Sequence, residues 1–312
     1  MEEVAAPELK PGHVKLRVHA VGFGCPDALM VAGKYQVKPE PPFTPGSEVA
    51  GVVLDVASDV MHIQPGMRVL AMIGQGGLAE ECIASAAALI PVPDAMSMAS
   101  AAGFLVNYGT TYHALVQRAN LKAGETLLVL GAAGGVGLTA IEIGKALGAR
   151  VLAAASTNEK LELAKQHGAD DVFNYTTDSI KTKVKEFTAD RGIDVAYDPV
   201  GGDYAEQCVR SMAWNGRYLV IGFAGGKIPA IPLNLPLLKG CSVVGVFWGT
   251  HTRREPELHA ANIKALFKLF GEGVLRPHVT EMDGLDRFTD ALELLNSRRA
   301  TGKVVVRVVG DA

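Results

Sequence analysis

Only four cysteines occur in 312 residues. Cys25, Cys82, Cys208 and Cys241 stand far apart with no C-x-x-C pair, which excludes a disulfide framework and a structural zinc site and leaves each reading as a small buried residue. The eight histidines form no H-x-x-x-H or H-E-x-x-H pair, so each reads as a lone core or surface residue. There is no basic excess. Thirty Lys and Arg against 33 Asp and Glu leave a net charge of −3, without the concentrated basic surface of a nucleic-acid binder. Arg253 and Arg254 are an isolated pair that reads as a solvated loop. No long hydrophobic run is present: residues 127–141 are glycine-rich, broken by Glu142, and too short to span a membrane. The opening MEEVAAPELKPG is acidic and contains proline, unlike a secretory signal, so the expectation is a soluble, cytoplasmic protein. No G-x-S-x-G occurs, which argues against serine-hydrolase chemistry.

The content that is present, 48% hydrophobic and 20% charged, suits a globular protein long enough for two domains. Its centre reads ETLLVLGAAGGVGLTAIEIGKALGARVLAAAS from Glu125. Residues 127–130 form a buried strand in this reading, 132–137 a tight glycine turn, 138–147 a helix and 151–154 a second buried strand, which is one βαβ unit. Ala132 stands at the first position of G-x-G-x-x-G, while Gly134 and Gly137 keep the second and third. Gly134 lets the backbone approach a pyrophosphate and Gly137 lets helix and strand pack closely. The helix N-terminus adds free N–H groups and the positive end of its dipole. A glycine string by itself also serves merely to reverse a chain; the strand before it and the helix after it point to a dinucleotide.

The end of the second strand selects the cofactor. An NAD site places Asp or Glu about 20 residues beyond the glycines, but here Ala153, Ala154, Ala155, Ser156, Thr157 and Asn158 precede the first acid, Glu159. A small polar pocket beside Lys160 suits a 2′-phosphate, which an acid would repel and a lysine would bind. NADPH is therefore favoured, although Lys160 also reads as a solvated helix residue.

Ahead of this unit, residues 13–105 read as β-rich. Val14, Leu16, Val18 and Ala20 alternate with His13, Lys15, Arg17 and His19 as in a half-buried strand. Further strands are expected at 49–56, 68–73 and 78–84, and a helix at 107–118. Beyond it, strands at 172–175, 194–198, 217–222 and 242–247 alternate with helices near 158–167, 179–188 and 204–212. That pattern predicts a parallel, doubly wound sheet of about six strands. Ser156, Tyr175, Gly222 and Phe223 then meet at the carboxyl ends of the strands. From about residue 250 the pattern changes to helices at 257–270 and 285–297 and a last strand at 303–308.

These stretches, together with AVGFGCPDALMVAGKYQ, PPFTPGSEVAGVV, GTTYHAL, GADDVFNY, GIDVAYDPVGG, GRYLVIGFAGG and TGKVVV, resemble the zinc-independent quinone oxidoreductase branch of the medium-chain dehydrogenase/reductase superfamily, the group that includes zeta-crystallin. The resemblance spans nearly the whole chain. It implies an α/β architecture: a GroES-like, β-rich catalytic domain built from residues 1–117 and 251–312, and a Rossmann domain with a doubly wound parallel six-stranded sheet over 118–250. It also implies NADPH in the cleft between the domains, with contacts from Thr110, Gly134, Gly135, Val136, Ser156, Lys160, Tyr175, Gly222, Phe223, Ala224, Phe247, Trp248 and Lys303. Phe247 and Trp248 would act through backbone on the nicotinamide carboxamide, or equally as core packing of a strand. Tyr35, in G-K-Y, matches the position of the catalytic tyrosine of related mitochondrial enoyl reductases. It is a candidate proton donor, or it only stacks on the nicotinamide or caps the cleft.

Metal is not expected. Zinc-dependent relatives place a Cys ligand where this chain has Gly24 and a His ligand where it has Ser47, and Cys25 stands one position late. Two departures from the branch stand beside the nicotinamide, Gly24 for the usual Asn and Leu29 for a frequent Tyr. Relatives carry a first hairpin ahead of the segment matching PELKPGHV, so the expectation is either an unusual start site or a GroES-like sheet that lacks an edge. Without a Lewis acid the substrate must accept hydride with hydrogen-bond help alone, which quinones and α,β-unsaturated carbonyls do. The rivals are an enoyl thioester (enoyl-CoA type) reductase, for which Arg253 and Arg254 are a weak hint, and a non-enzymatic NADPH-binding protein. The family further implies a homodimer or tetramer joined through the sheet edge at 242–247, although that apolar strand also suits a buried central position.

Overall fold

The computed structural model describes residues 1–308. The first part of the chain runs β1 (His13–Phe23), α1 (Cys25–Val31), β2 (Glu48–Val56), β3 (Arg68–Met72), β4 (Glu81–Ser85), β5 (Leu89–Pro91) and α2 (Met98–Ala102). There follow α3 (Leu105–Tyr112), which passes into a π-helical turn at His113–Arg118, then β6 (Thr126–Leu130), α4 (Gly135–Ala146), β7 (Arg150–Ala155), α5 (Asn158–Gln166), β8 (Asp171–Asn174), α6 (Ile180–Thr188), β9 (Ile193–Asp198), α7 (Tyr204–Arg210) and β10 (Met212–Val220). The chain closes with α8 (Asn234–Lys239), β11 (Ser242–Gly245), α9 (Trp248–Arg254), α10 (Pro256–Gly271), β12 (Val279–Asp283), α11 (Phe288–Asn296) and β13 (Lys303–Arg307).

Two compact units emerge: Met1–Val106 with Pro277–Ala312, and Asn107–Arg276. The boundaries expected at 117 and 250 therefore move. The structure keeps α10 in the second unit, where Asn262 and Gln117 exchange side-chain hydrogen bonds of 3.0 and 3.2 Å.

In the first unit the sheet order is β12-β13-β1-β2-β3-β5, with β4 also pairing β1. Val14, Leu16 and Val18 are fully buried, as their alternation predicts, but from Val18 to Phe23 both faces of β1 are covered and His19 is buried too. The reason is visible at Gly22, where a Cβ would lie 2.0 Å from the Ala102 carbonyl oxygen: the end of α2 lies directly on the strand.

The second unit holds a wholly parallel sheet ordered β11-β10-β9-β6-β7-β8. The order reverses between β6 and β9, and ligands of such sheets bind outside the carboxyl ends of the strands at that reversal. Thr126–Leu130 is buried throughout, as a strand covered on both faces requires. Two expectations need correction: residue 212 begins β10 instead of ending a helix, and β11 stops at Gly245 so that Trp248 opens a helix. Of the two readings of 242–247, the sheet edge is the one observed, with Val243 exposed on β11. Among the described residues no helix is long and apolar enough to cross a membrane.

Candidate active site

In the second unit the turn after β6 is shaped by glycine at successive depths. Gly131 takes the left-handed conformation (φ +58°), so the turn residue is Gly131 and not its neighbour Ala132, whose N–H bonds the Ala154 carbonyl at 3.1 Å. At Gly137 a Cβ would stand 2.3 Å from the Gly131 oxygen, and at Gly135 it would stand 2.3 Å from Asn107 Nδ2. Gly137 cannot carry a side chain against that backbone, and one at Gly135 would require the Asn107 side chain to move. Gly134 has only the Gly131 oxygen at 3.3 Å, so its outer side is open to a ligand's approach. Gly134 is the N-cap of α4 and no side chain caps that end, which leaves first-turn N–H groups for an anion. Beneath the turn, Thr111 Oγ1 lies 2.7 Å from Thr139 Oγ1 and 2.8 Å from the Tyr197 hydroxyl, and Thr139 donates to the Val136 carbonyl at 3.0 Å. Gly134, Gly135 and Val136 thus sit together on a hydrogen-bonded base, with half-buried Thr110 next to Thr111 on α3.

Ser156 follows β7 directly, and its carbonyl accepts from Asn174 Nδ2 at 3.3 Å. Thr157 caps α5 by accepting from the Lys160 N–H. Lys160 is half-buried, and burial draws its ammonium below the usual lysine range. Glu159 is exposed, and its carboxyl is held below the usual range by its own N–H and the Thr157 hydroxyl. Tyr175 follows β8 and packs against Tyr204 with ring centroids 4.7 Å apart.

Residues 222–224 follow β10 and are pinned to the end of β9: Gly222 N–H donates to the Asp198 carbonyl at 3.3 Å and Ala224 N–H to the Pro199 carbonyl at 2.9 Å. The Asp198 carboxylate organises this loop from within. Its Oδ1 accepts from Val200 and Gly201 N–H at 2.7 and 2.8 Å, and its Oδ2 from the Tyr218 hydroxyl at 2.6 Å. Sequence reasoning passes over Asp198 as a site residue; an acid closing an apolar strand just before a Pro-Val-Gly-Gly turn is the available signal. Phe223 is exposed. Phe247 is exposed as well, whereas Trp248 is buried with Gly109 against its indole, a Gly109 Cβ standing 2.8 Å from Nε1. Core packing therefore describes the Trp248 ring and not that of Phe247.

Lys303, grouped by the family resemblance with the cofactor contacts, lies in the first unit, with its Nζ 2.6 Å from Glu48 Oε2. Both side chains are buried, and Glu48 Oε1 also accepts the Val106 N–H at 3.0 Å. Burial pushes the Glu48 carboxyl up while the Lys303 ammonium pulls it down. Alongside, buried Asp27 accepts from Gly24 N–H at 2.9 Å, Ser47 N–H at 3.1 Å and Ser47 Oγ at 2.8 Å. Tyr35 belongs to this cluster: burial first and the Asp27 charge second hold its phenol above the usual tyrosine range, so it is a protonated hydrogen-bond donor at neutral pH. Cys25 is exposed in this cluster, not a buried filler as its isolation suggested. Neither Gly24 nor Ser47 offers a strong metal ligand. Asp27 and Glu48 are engaged with donors of this chain, and the ammonium beside Glu48 would repel a divalent cation.

Comparison with known proteins gives the family of the chain. Residues 10–94 match the family described as alcohol dehydrogenase GroES-like domain, and residues 135–263 the one described as zinc-binding dehydrogenase. The chain is 40% identical over 308 residues to the quinone oxidoreductase-like protein 2 homolog of Nematostella vectensis, covering 98% of this chain and 84% of that one. It belongs to the quinone oxidoreductase family. Among solved members, the quinone oxidoreductase of Thermus thermophilus, reported also as its NADPH complex, superposes with a TM-score of 0.84 at 35% identity, over 98% of this chain and 95% of that one. The Escherichia coli quinone oxidoreductase complexed with NADPH superposes with a TM-score of 0.90 at 28% identity, over 98% and 94%. The zinc-binding description covers residues 135–263, whereas Gly24, Ser47 and Glu48 lie outside that match, in the first unit.

Proposed function

We propose that this chain is an NADPH-dependent oxidoreductase that reduces quinones or α,β-unsaturated carbonyls without a metal ion. The observation that carries the reading is the glycine turn, open at Gly134, followed at the end of the next strand by Ser156 and a partly buried Lys160 with no acid between them. Bound there, NADPH supplies the hydride. In this proposal the backbone of Gly134, Gly135 and Val136 holds the pyrophosphate, while Ser156, Lys160 and Tyr175 take the 2′-phosphate end. Thr110, the backbone of Gly222, Phe223 and Ala224, and that of Phe247 and Trp248 orient the remainder. Tyr35 donates a hydrogen bond to the oxygen of the electrophile. The metal-free part of the proposal rests on the donor set around Gly24, where the carboxylates are already paired with this chain's own donors.

A homodimer is proposed through β11. It is an edge strand with Val243 exposed, and Trp214, Leu237 and Leu238 are exposed in the adjoining elements; such an apolar edge is the kind a second copy covers.

The test is steady-state oxidation of NADPH, with NADH in parallel, against an ortho-quinone, a para-quinone, an enone and an enoyl-CoA, with and without chelator. Chelator-resistant turnover preferring NADPH is the expected result. A preference for NADH would overturn the role of Ser156 and Lys160, and turnover of the enoyl-CoA alone would move the reading to a thioester reductase. NADPH binding without turnover would leave a binding protein. Tyr35→Phe should cost about tenfold or more in kcat; a loss of only a few-fold removes Tyr35 from the reaction.

A further inference from the structure

Within the second unit the last two residues of β9 are held from opposite faces of the sheet, since successive side chains of a strand point to opposite sides. On one face the fully buried Tyr197 hydroxyl lies 2.8 Å from Thr111 Oγ1, which lies 2.7 Å from Thr139 Oγ1. Through Thr139 that chain reaches the Val136 carbonyl, at 3.0 Å, in the first turn of α4. On the other face buried Asp198 accepts from the Tyr218 hydroxyl of the neighbouring β10 and from the Val200 and Gly201 N–H groups of the loop ahead. Burial pushes the Asp198 carboxyl up, and among the described residues only those three donors pull it down, with no lysine or arginine beside them. A buried carboxylate is costly unless it is hydrogen-bonded, and two of the three donors that satisfy this one belong to the loop it folds. The loop in turn touches two others. Val200 Cγ2 stands 3.1 Å, and Pro199 Cγ 3.5 Å, from where a Cβ on Gly131 would be, so residues 199–200 pack against the glycine turn after β6. Their carbonyls accept the Ala224 and Gly225 N–H groups at 2.9 and 2.8 Å. β6 and β9 are the strands between which the sheet order reverses, where parallel sheets bind their ligands. The fold of residues 199–201 therefore sets the spacing between the glycine turn and the loop 222–225.

We propose that Asp198 is the positioning residue for the nicotinamide half of the cofactor, fixing loops 199–201 and 222–225 in the shape that receives that half, with Tyr218 as its support. This rests on the NADPH reading above and adds to it a residue whose carboxylate is taken up by donors of this chain. The 2′-phosphate end is given there to Ser156, Lys160 and Tyr175, which follow β7 and β8, so the two halves of the cofactor depend on different loops. Loosening residues 199–201 leaves the phosphate end in place and lets the nicotinamide ring drift. A misplacement of about 1 Å is enough to cost about 10²-fold in rate. Tyr197, tied to α3 and α4 on the opposite face, keeps the end of β9 still, so the carboxylate acts from a fixed point.

The test is calorimetric titration with NADPH and with adenosine 2′,5′-bisphosphate, which carries the phosphate end and lacks the nicotinamide, on the wild type, Asp198→Ala, Asp198→Asn and Tyr218→Phe, with each fold checked by circular dichroism. Asp198→Ala leaves two N–H groups and a hydroxyl without their acceptor; it should weaken NADPH by about tenfold or more and the bisphosphate by less than about twofold. Its kcat on a quinone should fall by about tenfold or more as well. Asp198→Asn keeps an oxygen for the Val200 and Gly201 N–H groups without the charge, and charge-assisted hydrogen bonds are roughly twice as strong as neutral ones, so NADPH should weaken by about fivefold and the bisphosphate again by less than about twofold. Tyr218→Phe keeps both loop bonds and should stay within about twofold on both ligands. Amide hydrogen exchange should quicken at residues 199–202 and 222–226 in the order Ala, Asn, Phe. The proposal is overturned if the Ala variant binds NADPH like the wild type, or if both ligands weaken equally, which would make Asp198 a residue of the general fold. Should the Ala variant not fold, the Asn variant decides by the same ratio of affinities. A wild type that does not bind NADPH would sink the NADPH reading and this inference with it, whereas an unchanged ratio in the variants sinks this inference alone.

Discussion

The two units prepare for their ligands by different means. In the second unit most of the groups proposed to meet the cofactor are main chain: the N–H groups at the start of α4, the loop 222–224 hung on Asp198 and Pro199, and the β11–α9 junction. In the first unit the chemistry lies in side chains, with a buried Lys303–Glu48 pair joining residues 255 apart in sequence and Asp27 bonded to Ser47. Main-chain recognition needs glycine at set spacings, so it leaves a compact mark in one stretch of sequence. Side-chain recognition needs only that distant strands meet, and leaves almost none.

That contrast can be broken most severely at the ion pair. Glu48→Leu leaves a buried ammonium without its partner and should cost about 3–5 kcal/mol of stability, read as a lowered urea midpoint; the same change with Lys303→Met should recover much of it. In the second unit Gly137→Ala inserts a methyl 2.3 Å from a backbone oxygen and should cost about 1–3 kcal/mol, with NADPH binding weakened because the turn and α4 must separate. Milder still, Lys160→Ala should leave the fold intact and reduce the preference for NADPH over NADH by about tenfold, the worth of one charged hydrogen bond near ~1.5 kcal/mol, measured as the ratio of the two dissociation constants.

The smallest expected effect lies away from both sites. His113 stacks on His251 with ring centroids 3.9 Å apart, and its imidazole is held below the usual histidine range by burial and then by His251. The unfolded chain therefore binds the His113 proton more readily than the folded one, so stability is full above about pH 6.5 and declines as pH falls below it. His113→Gln should flatten that part of a pH series of thermal midpoints. An unchanged series would remove His113 from the acid response.

Much of the second unit was legible because its rules are local. The apolar run 127–130, the glycines at 134 and 137 and the small residues 153–156 mark the βαβ unit, and strand–helix alternation marks the six parallel strands that the structure contains. The break at Gly245 was not legible, since Val246 and Phe247 continue the apolar pattern while the chain turns into α9. Alternation places His19 outward because it does not register that α2 covers the second face of β1. Asp198 reads as the end of a strand, and only the folded loop shows two N–H groups and a hydroxyl converging on it.

What the amino-acid order determined by itself was the succession of elements, the glycine-shaped turn and the absence of an acid before Glu159, because each depends on neighbours within one or two turns of chain. The tertiary structure alone decided that Glu48 meets Lys303, that glycines clear a path for that lysine, and that β11 lies at the edge of its sheet. Those outcomes depend on which strands pair, and strand pairing is settled by burial of the whole core, not by any segment read alone.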